Sequence, residues 1–433
     1  MQAVIMAGGK GTRLASLTKD EIPKPMIPIM GKPLLEWQIE QLKSNGINDV
    51  TMVIGHLGDK IKAYFGDGQA YGINVQYVEE KEPLGTAGAF YFLRKLLKEQ
   101  YFLLVFGDVF FDIDIARMEW FHREKEAAAT LFVHPNGHPF DSDLVTLDRN
   151  GKVEKLDSKH NARDYWYDNC VNAGFYILNR EICENIAVPE KTDLEKDILC
   201  PLIKDGGSVY GYRSPEYIKD VGTVERIEKT IEDIENGFIA DKCLKKKQKC
   251  IFLDRDGTIN QHRGLVYKEE DFILESCATE AIRKINESGR LGIVITNQPV
   301  VARGLCDVED VENIHKKLST LLGKEGVYLD DILYCPHHPD KGYPEENPLY
   351  KIPCECRKPK IGMIVEAVKR YNIDLSDAWI IGDTTMDIQT GKNAGIKTAL
   401  VMTGEGGKDR KYDVQPDLVC KDLLEAIDKI LED

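Results

Sequence analysis

"CIFLDRDGTIN", Cys250 to Asn260, is a short apolar run that ends in an acidic turn. The run reads as a strand, with Asp254 at its carboxyl end, Asp256 two residues on and Gly257 permitting a sharp turn. Acidic pairs after strands often only cap turns. A complete D-x-D-G-T sequence behind a hydrophobic strand is far more specific and points to catalysis. Two further runs, "LGIVITN" and "AWIIGD", place strands downstream, so this half of the chain is an α/β unit.

Immediately upstream lies "DKCLKKKQK", Asp241 to Lys249, where apolar periodicity lapses and five lysines crowd together. A solvated linker explains it better than a binding patch. Ahead of the linker, "AVIMAG", "LEWQIEQLKSNG", "VTMVIG", "NVQYVEE" and "YFLLVFGD" alternate strand-like and helix-like segments, which implies a second, mostly parallel sheet covered by helices. The expected organisation is therefore two domains, residues 1–240 and 250–433, joined by 241–249, with no internal repeat. A length of 433 residues suits that division, since one core seldom grows so large.

Composition narrows the function. A net charge of −15 argues against nucleic-acid binding, which needs clustered Lys and Arg, so a phosphorylated small molecule must be met by local basic groups. No stretch approaches the roughly 20 apolar residues of a membrane span, and the chain reads as cytoplasmic with no membrane partner. Eleven cysteines, mostly scattered, suggest reduced thiols rather than a disulfide framework.

The first domain opens with "MAGGKGTRLASLTKDEIPKPM". Gly8, Gly9 and Gly11 leave room for backbone N–H groups to approach phosphate oxygens, while Lys10 and Arg13 add charge beside Thr12. Lys24, between two prolines, fits a second phosphate-contacting arm. Gly85 and Thr86 lie in a small-residue loop that could admit a flat base or sugar, and "VNAGFYIL" adds Asn172 and Gly174. Asp108 ends a strand in "LLVFGDVFFD" and "YIKDVGT" supplies Asp220; two separated carboxylates could hold one Mg²⁺, an oxygen-seeking ion that accompanies nucleotide phosphates.

In the second domain, Thr296 and Asn297, Arg357 and Lys358, and Asp383 and Asp387 complete the set begun by Asp254 and Asp256. A carboxylate of ordinary pKa is ionised at neutral pH, so Asp254 is available as a nucleophile without a base; in the haloacid dehalogenase phosphatases that these residues resemble, Asp254 would attack phosphorus and Asp256 would act as acid and then base. One cluster remains. Cys335-x-His337 and Cys354-x-Cys356 form two pincers suited to a closed, structural Cys₃His zinc site that would also fix Arg357 and Lys358.

These motifs resemble two families. "GKGTRL", "PKPM", "EEKEPLGTAGA" and "FGDVFFDID" are similar to the sugar-1-phosphate nucleotidyltransferases, particularly their heptose 1-phosphate and mannose 1-phosphate guanylyltransferase branch, over roughly residues 1–235. The resemblance implies a Rossmann-like, mixed but mostly parallel sheet and in-line attack of a sugar 1-phosphate on a nucleotide α-phosphate. Arg13 and Lys24 would stabilise the transferring phosphate and Asp108 and Asp220 would position Mg²⁺. It also implies sugar contacts from Glu154 and Lys155, although Leu156 follows where relatives have proline.

Residues 249–430 resemble the haloacid dehalogenase phosphatases, and the zinc loop narrows this to the heptose 1,7-bisphosphate and histidinol-phosphate phosphatases. That resemblance implies a Rossmannoid fold, an aspartyl phosphate on Asp254, and Mg²⁺ held by Asp254, Asp383 and the backbone carbonyl of Asp256. Phosphoryl oxygens would be held by Thr296 and Lys358, and His337 rather than His338 would ligate zinc. Relatives read T-N-Q-S-G-I-A-R-G where this chain has "TNQPVVARG", so Pro299 and Val300 alter the substrate-facing loop. Together the resemblances imply a bifunctional enzyme: a phosphatase yields heptose 1-phosphate, which a guanylyltransferase consumes with GTP. Another sugar or nucleotide, a histidinol-phosphate-type phosphatase, or a non-catalytic sugar-nucleotide sensor are the alternatives.

Overall fold

The computed structural model describes residues 1–9, 21–340, 342 and 345–432, so the loop residues Lys10, Gly11, Thr12 and Arg13 lie outside the described residues. The chain divides into two compact units. The first comprises Met1–His134, Asp143–Ser158 and Val171–Cys243; the second comprises Pro135–Ser142, Lys159–Cys170 and Leu244–Asp433. Two excursions from the first half of the sequence thus belong with the second unit, an arrangement that a linear reading with boundaries at 240 and 250 does not contain. The lysine-rich stretch also carries more structure than a linker: the helix Phe238–Lys242 runs into it and the strand Gln248–Leu253 begins inside it.

In the first unit, Gln2–Met6 pairs in parallel with both Asp49–Ile54 and Tyr101–Phe106, and Asn74–Glu79 extends the parallel edge. Val171–Asn179 then runs antiparallel to Tyr101–Phe106 and to Ala129–His134, which makes the sheet mixed. Burial on both faces explains the near-continuous apolar runs of its central strands. Ile5, Met52, Leu103 and Val105 meet Leu35, Ile39 and Ile61 from the flanking helices in one core. A separate ribbon matters more for function: Val109–Asp112 pairs antiparallel with Tyr217–Asp220, bringing together segments about a hundred residues apart in sequence.

The second unit is a six-stranded parallel sheet in the order Asp331–Cys335, Leu291–Asn297, Gln248–Leu253, Ile373–Gly382, Lys397–Val401, Leu418–Cys420. Alternation along the central strand sends Ile251 and Leu253 into one core and Cys250 and Phe252 into another on the opposite face. The carboxyl ends of three adjacent strands therefore deliver Asp254, Thr296 with Asn297, and Asp383 to one edge, the customary ligand-binding edge of open parallel sheets.

The excursions dock on the helix Val308–Lys324, which starts with a reciprocal cap between Asp307 and Asp310. The Tyr167 N–H donates to Thr320 Oγ1 at 2.9 Å, and a Cβ on Gly323 would lie 2.4 Å from Pro139 Cγ. Trp166 Nε1 donates to Glu269 Oε2 at 2.7 Å. Thr320→Val strands the buried Tyr167 N–H, which costs about 1–3 kcal/mol. Thermal unfolding should show a lowered midpoint for that variant, and an unchanged midpoint would mean that the excursion contributes nothing to the unit it packs with.

Candidate active sites

In the second unit, Asp254 continues the central strand, its N–H donating to Ile381 O at 2.9 Å. Lys358 Nζ lies 2.8 Å from Asp254 Oδ1 and 2.6 Å from Asp387 Oδ1, with its side chain 3% exposed. Burial pushes the Asp254 carboxyl up to about 6, against the pull of Lys358 and with added repulsion from Asp387. The expectation of an ordinary carboxylate is corrected on that ground. Asp383 is pushed up to about 8, first by burial and then by Asp254 and Asp387. Burial opposes charge on Lys358, but Asp254 and Asp387 outweigh it and its pKa is raised.

The oxygens of Asp254, Asp383 and Asp387 lie within 4.8 Å of one another, all buried. Asp383 Oδ2 accepts from Glu405 N–H at 2.7 Å, whereas Oδ1 is buried with no hydrogen-bond partner among the described residues. Three clustered carboxylates, with Asp254 and Asp383 raised in proton affinity and one oxygen unpartnered, fit a hard divalent cation. Asp387 is committed elsewhere, gripping Lys358 through Oδ1 and accepting from Thr384 Oγ1 at 2.5 Å through Oδ2. Gly257, at φ +82°, is required here, because a Cβ would stand 2.3 Å from Asp383 Oδ2.

The Asp256 carboxylate is absent from that group. It accepts from Arg255 Nη2 at 2.9 Å, Gln298 Nε2 at 2.9 Å and Asn260 Nδ2 at 3.0 Å. Arg255 is fully buried and also donates to His315 Nε2 at 3.1 Å. Burial and then the Arg255 charge hold the His315 pKa well below its usual value, so the ring accepts as a neutral base. Arg255 and Gln298 were not singled out from sequence, yet they aim Asp256; a charged residue embedded in an otherwise apolar strand end was the available signal. Thr296 Oγ1 accepts from Gln298 Nε2 at 2.9 Å.

Asn297 was expected at the substrate, but its amide grips the lysine backbone: Lys358 N–H donates to Oδ1 at 3.0 Å and Nδ2 donates to Lys358 O at 3.2 Å. Arg357 donates from Nη1 to His337 O at 3.1 Å. Val300 is buried against Val301 and Val311, so the altered loop contributes an apolar contact rather than an exposed side chain.

Cys335, His337, Cys354 and Cys356 form one cluster. The three sulfurs are 3.2–3.5 Å apart, and His337 Nδ1 is 3.7 Å from Cys335 and 3.4 Å from Cys356. Ligands at a Zn–S distance of about 2.3 Å from a tetrahedral centre would be about 3.8 Å apart. Cys356 is held down to about 5, chiefly by its contact with Cys335, whose own thiol is pushed up by that contact and by burial, so the shared proton sits on Cys335 until a metal displaces it. His338 lies outside the cluster, its Nδ1 accepting from Asp340 N–H at 3.2 Å.

In the first unit, the Asp108 carboxylate pairs with Lys24 Nζ, which also stands 4.0 Å from Asp220 Oδ1. Asp220 Oδ2 takes Arg226 Nη1 at 2.8 Å, while its Oδ1 is buried with no hydrogen bond among the described residues. Two carboxylates with an unsatisfied oxygen again fit a divalent cation. The turn bearing Asp108 is fixed from behind by Gln38, whose Nε2 donates to Phe106 O at 2.9 Å and Val109 O at 2.6 Å. Neither Arg226 nor Gln38 carries a sequence motif; they become visible only through the contact.

Gly8 is closely approached, since a Cβ would lie 2.9 Å from Glu80 Oε2, and Gly9 has open space. Gly85, at φ +80°, and Thr86 are stapled to the Thr192–Leu194 segment: Leu194 N–H donates to Thr86 Oγ1 at 2.7 Å. Gly174, at φ +70°, admits the Phe106 ring, while Asn172 Nδ2 donates to Tyr176 Oη and to Glu195 Oε1. Glu154 and Lys155 stand exposed on the strand Val153–Asp157 at the far edge of the sheet, with Lys155 Nζ 3.6 Å from Asp157 Oδ1.

Each unit thus sets a lysine against carboxylates beside the carboxyl ends of its parallel strands, the arrangement of enzymes that move phosphoryl groups. Residues 2–237 match the nucleotidyl transferase family and residues 355–426 the HAD-hydrolase-like family. Among curated proteins, the first half is 32% identical to the D-glycero-alpha-D-manno-heptose 1-phosphate guanylyltransferase of Aneurinibacillus thermoaerophilus, over 54% of this chain and 99% of that one. It is also 32% identical to the mannose-1-phosphate guanylyltransferase of Mycobacterium tuberculosis, over 57% of this chain and 67% of the other. The second half is 35% identical to the D-glycero-beta-D-manno-heptose-1,7-bisphosphate 7-phosphatase of Haemophilus ducreyi, over 42% of this chain and 97% of that one. The chain belongs to the nucleotidyl transferase family and, through its second half, to the HAD-hydrolase-like family: a bifunctional enzyme joining a nucleotidyltransferase to a phosphatase. No helix among the described residues is long and apolar enough to cross a membrane.

Proposed function

We propose that the chain carries out two consecutive steps toward GDP-heptose in the cytoplasm: it removes the 7-phosphate of D-glycero-D-manno-heptose 1,7-bisphosphate and transfers a guanylyl group from GTP to the resulting heptose 1-phosphate. The observation that carries this reading is a pair of nearly whole-length relatives, a D-glycero-D-manno-heptose-1,7-bisphosphate 7-phosphatase and a D-glycero-alpha-D-manno-heptose 1-phosphate guanylyltransferase, whose named activities meet at heptose 1-phosphate when the bisphosphate is the alpha anomer, since removal of the 7-phosphate leaves C1 unchanged.

In the phosphatase, an Asp254 oxygen attacks phosphorus and the P–O bond to the sugar breaks, leaving an aspartyl phosphate. Asp256, aimed by Arg255 and Gln298, protonates the departing sugar oxygen. It then takes a proton from the water that attacks phosphorus and releases phosphate. Lys358 and the Thr296 hydroxyl hold the phosphoryl oxygens. Asp254 and Asp383, with the Asp256 carbonyl, would hold Mg²⁺, which offsets repulsion between nucleophile and phosphate.

In the transferase, a heptose 1-phosphate oxygen attacks the α-phosphorus of GTP and pyrophosphate leaves. Lys24 and Arg13 neutralise charge gathering on the α-phosphate, and Asp108 and Asp220 would hold a second Mg²⁺. The loop from Gly8 to Thr12 cradles the remaining phosphates, with Gly85 and Thr86 shaping the base pocket. The sugar falls to Asn172 and Gly174, with Glu154 and Lys155 as further contacts. Heptose 1,7-bisphosphate with GTP should yield GDP-heptose, phosphate and pyrophosphate in one vessel. Formation of another sugar nucleotide in preference, across a panel of nucleotides and sugar 1-phosphates, would overturn the assignment of substrates.

The Cys₃His cluster is assigned to structural zinc, because a fourth protein ligand leaves no open position. Metal analysis should find about one zinc per chain surviving dialysis. Cys356→Ser should lower phosphatase turnover on the order of 10²-fold, since the loop that ends at Lys358 loosens and a misplaced phosphate ligand costs about that much. Transferase activity serves as the internal control. Full phosphatase turnover from zinc-free protein would show that the four residues have another purpose.

A further inference from the structure

Asn172 is held by its amide nitrogen alone. Nδ2 donates to Tyr176 Oη at 2.9 Å and to Glu195 Oε1 at 2.6 Å, and Tyr176 Oη donates to the same Glu195 oxygen at 2.7 Å. The three groups close a triangle in which every donor is accounted for: Glu195 Oε1 accepts from both Tyr176 and the asparagine, which therefore presents its nitrogen to it. Asn172 Oδ1 is driven to the other side, where it is buried with no hydrogen-bond partner among the described residues. An isolated buried acceptor costs stability and is retained where a ligand donor completes it.

The backbone supports this aim. The strand Val171–Asn179 changes register against Ala129–His134 between Asn172 and Tyr176, so residues four apart converge on one carboxylate. Glu195 arrives from the separate segment Leu194–Leu199, whose start is capped by Asp193, the Oδ1 of which accepts from Glu195 N–H at 3.1 Å and Lys196 N–H at 2.9 Å. The carboxylate is therefore fixed at both backbone and side chain before any ligand arrives.

We infer that Glu195, together with Tyr176, is a positioning residue for sugar recognition: it locks the Asn172 amide so that Oδ1 faces a hydroxyl of the sugar 1-phosphate. This rests on the proposed transferase reading, in which Asn172 contacts the sugar. Glu195 touches no substrate itself. Because both hydrogen bonds land on Oε1, an amide at this position keeps the acceptor that does the locking, whereas a methyl group abolishes it.

Steady-state pyrophosphate release with GTP and heptose 1-phosphate tests the inference. Glu195→Ala should raise KM for the sugar phosphate roughly tenfold while KM for GTP stays within about twofold, because one polar contact to a substrate hydroxyl is disoriented and none to the nucleotide. Glu195→Gln should restore most of the affinity, and Tyr176→Phe, a milder change, should give about a threefold rise. Asn172→Ala is the reference, and adding Glu195→Ala to it should cause no further loss. If Asn172→Ala raises KM for the sugar phosphate but Glu195→Ala and Tyr176→Phe do not, the positioning role falls and the transferase reading stands. If Asn172→Ala has no effect, the sugar contact itself is wrong and the inference falls with it. Equal rises in both KM values with Glu195→Ala would mark a purely structural residue.

Discussion

Asp254→Asn should lower phosphate release from heptose 1,7-bisphosphate by at least about four orders of magnitude, because the amide cannot form the acyl phosphate on which turnover depends. The shape of the site is kept, so substrate should still bind. Pyrophosphate release from GTP and heptose 1-phosphate should be unchanged, since the transferase carboxylates belong to the other unit. Loss of both activities in folded protein would contradict two independent sites.

The same variant has a stability signature. Asp254 is pushed from 3.8 up to about 6, first by burial, so the folded protein binds the proton more tightly than the unfolded chain. That contribution is present below the unfolded value and is lost as pH rises through about 6. At pH 7 the ionised carboxylate therefore burdens the metal-free fold by roughly a few kcal/mol, which Asn removes. In chelator at pH 7, Asp254→Asn should unfold at a higher temperature than the parent protein, with the gap narrowing toward pH 4. A lower midpoint at pH 7 would mean that the carboxylate stabilises the fold through Lys358 more than burial penalises it.

Lys24→Met should reduce guanylyl transfer on the order of 10³-fold in kcat/KM, the scale of removing a fixed positive donor from a developing oxyanion. Lys24 Nζ is the cation between Asp108 and Asp220, so its loss also leaves two carboxylates facing each other without it. Phosphatase activity is the control. A loss below tenfold would show that Arg13 or the metal carries the α-phosphate unaided.

Local pattern and chemistry made most of the catalytic set legible. Asp254, Thr296 and Asp383 lie at the ends of apolar runs, and in a parallel sheet the ends of adjacent strands must meet at one edge, whereas Lys358 follows the second cysteine pair in a loop. The cysteine pincers were readable for a similar reason, because x-spacing of ligands reports local chain reversal. What remained hidden were residues defined by a partner distant in sequence: Gln38 behind the Asp108 turn, Arg226 on Asp220, Arg255 and Gln298 on Asp256, and Glu195 on Asn172. Asn297 was legible as part of a motif, but its hydrogen bonds to the Lys358 backbone were not.

The sequence by itself determined the two α/β units, their order and the class of chemistry, because strand periodicity and loop composition are local properties. Tertiary structure alone decided where the proton affinities lie, which carboxylates cluster and which are tied to lysine, and which segments complete the second unit. Those quantities depend on burial and on through-space charge. Neither is encoded at a single position: Asp254 differs from any exposed aspartate only in what the fold packs around it.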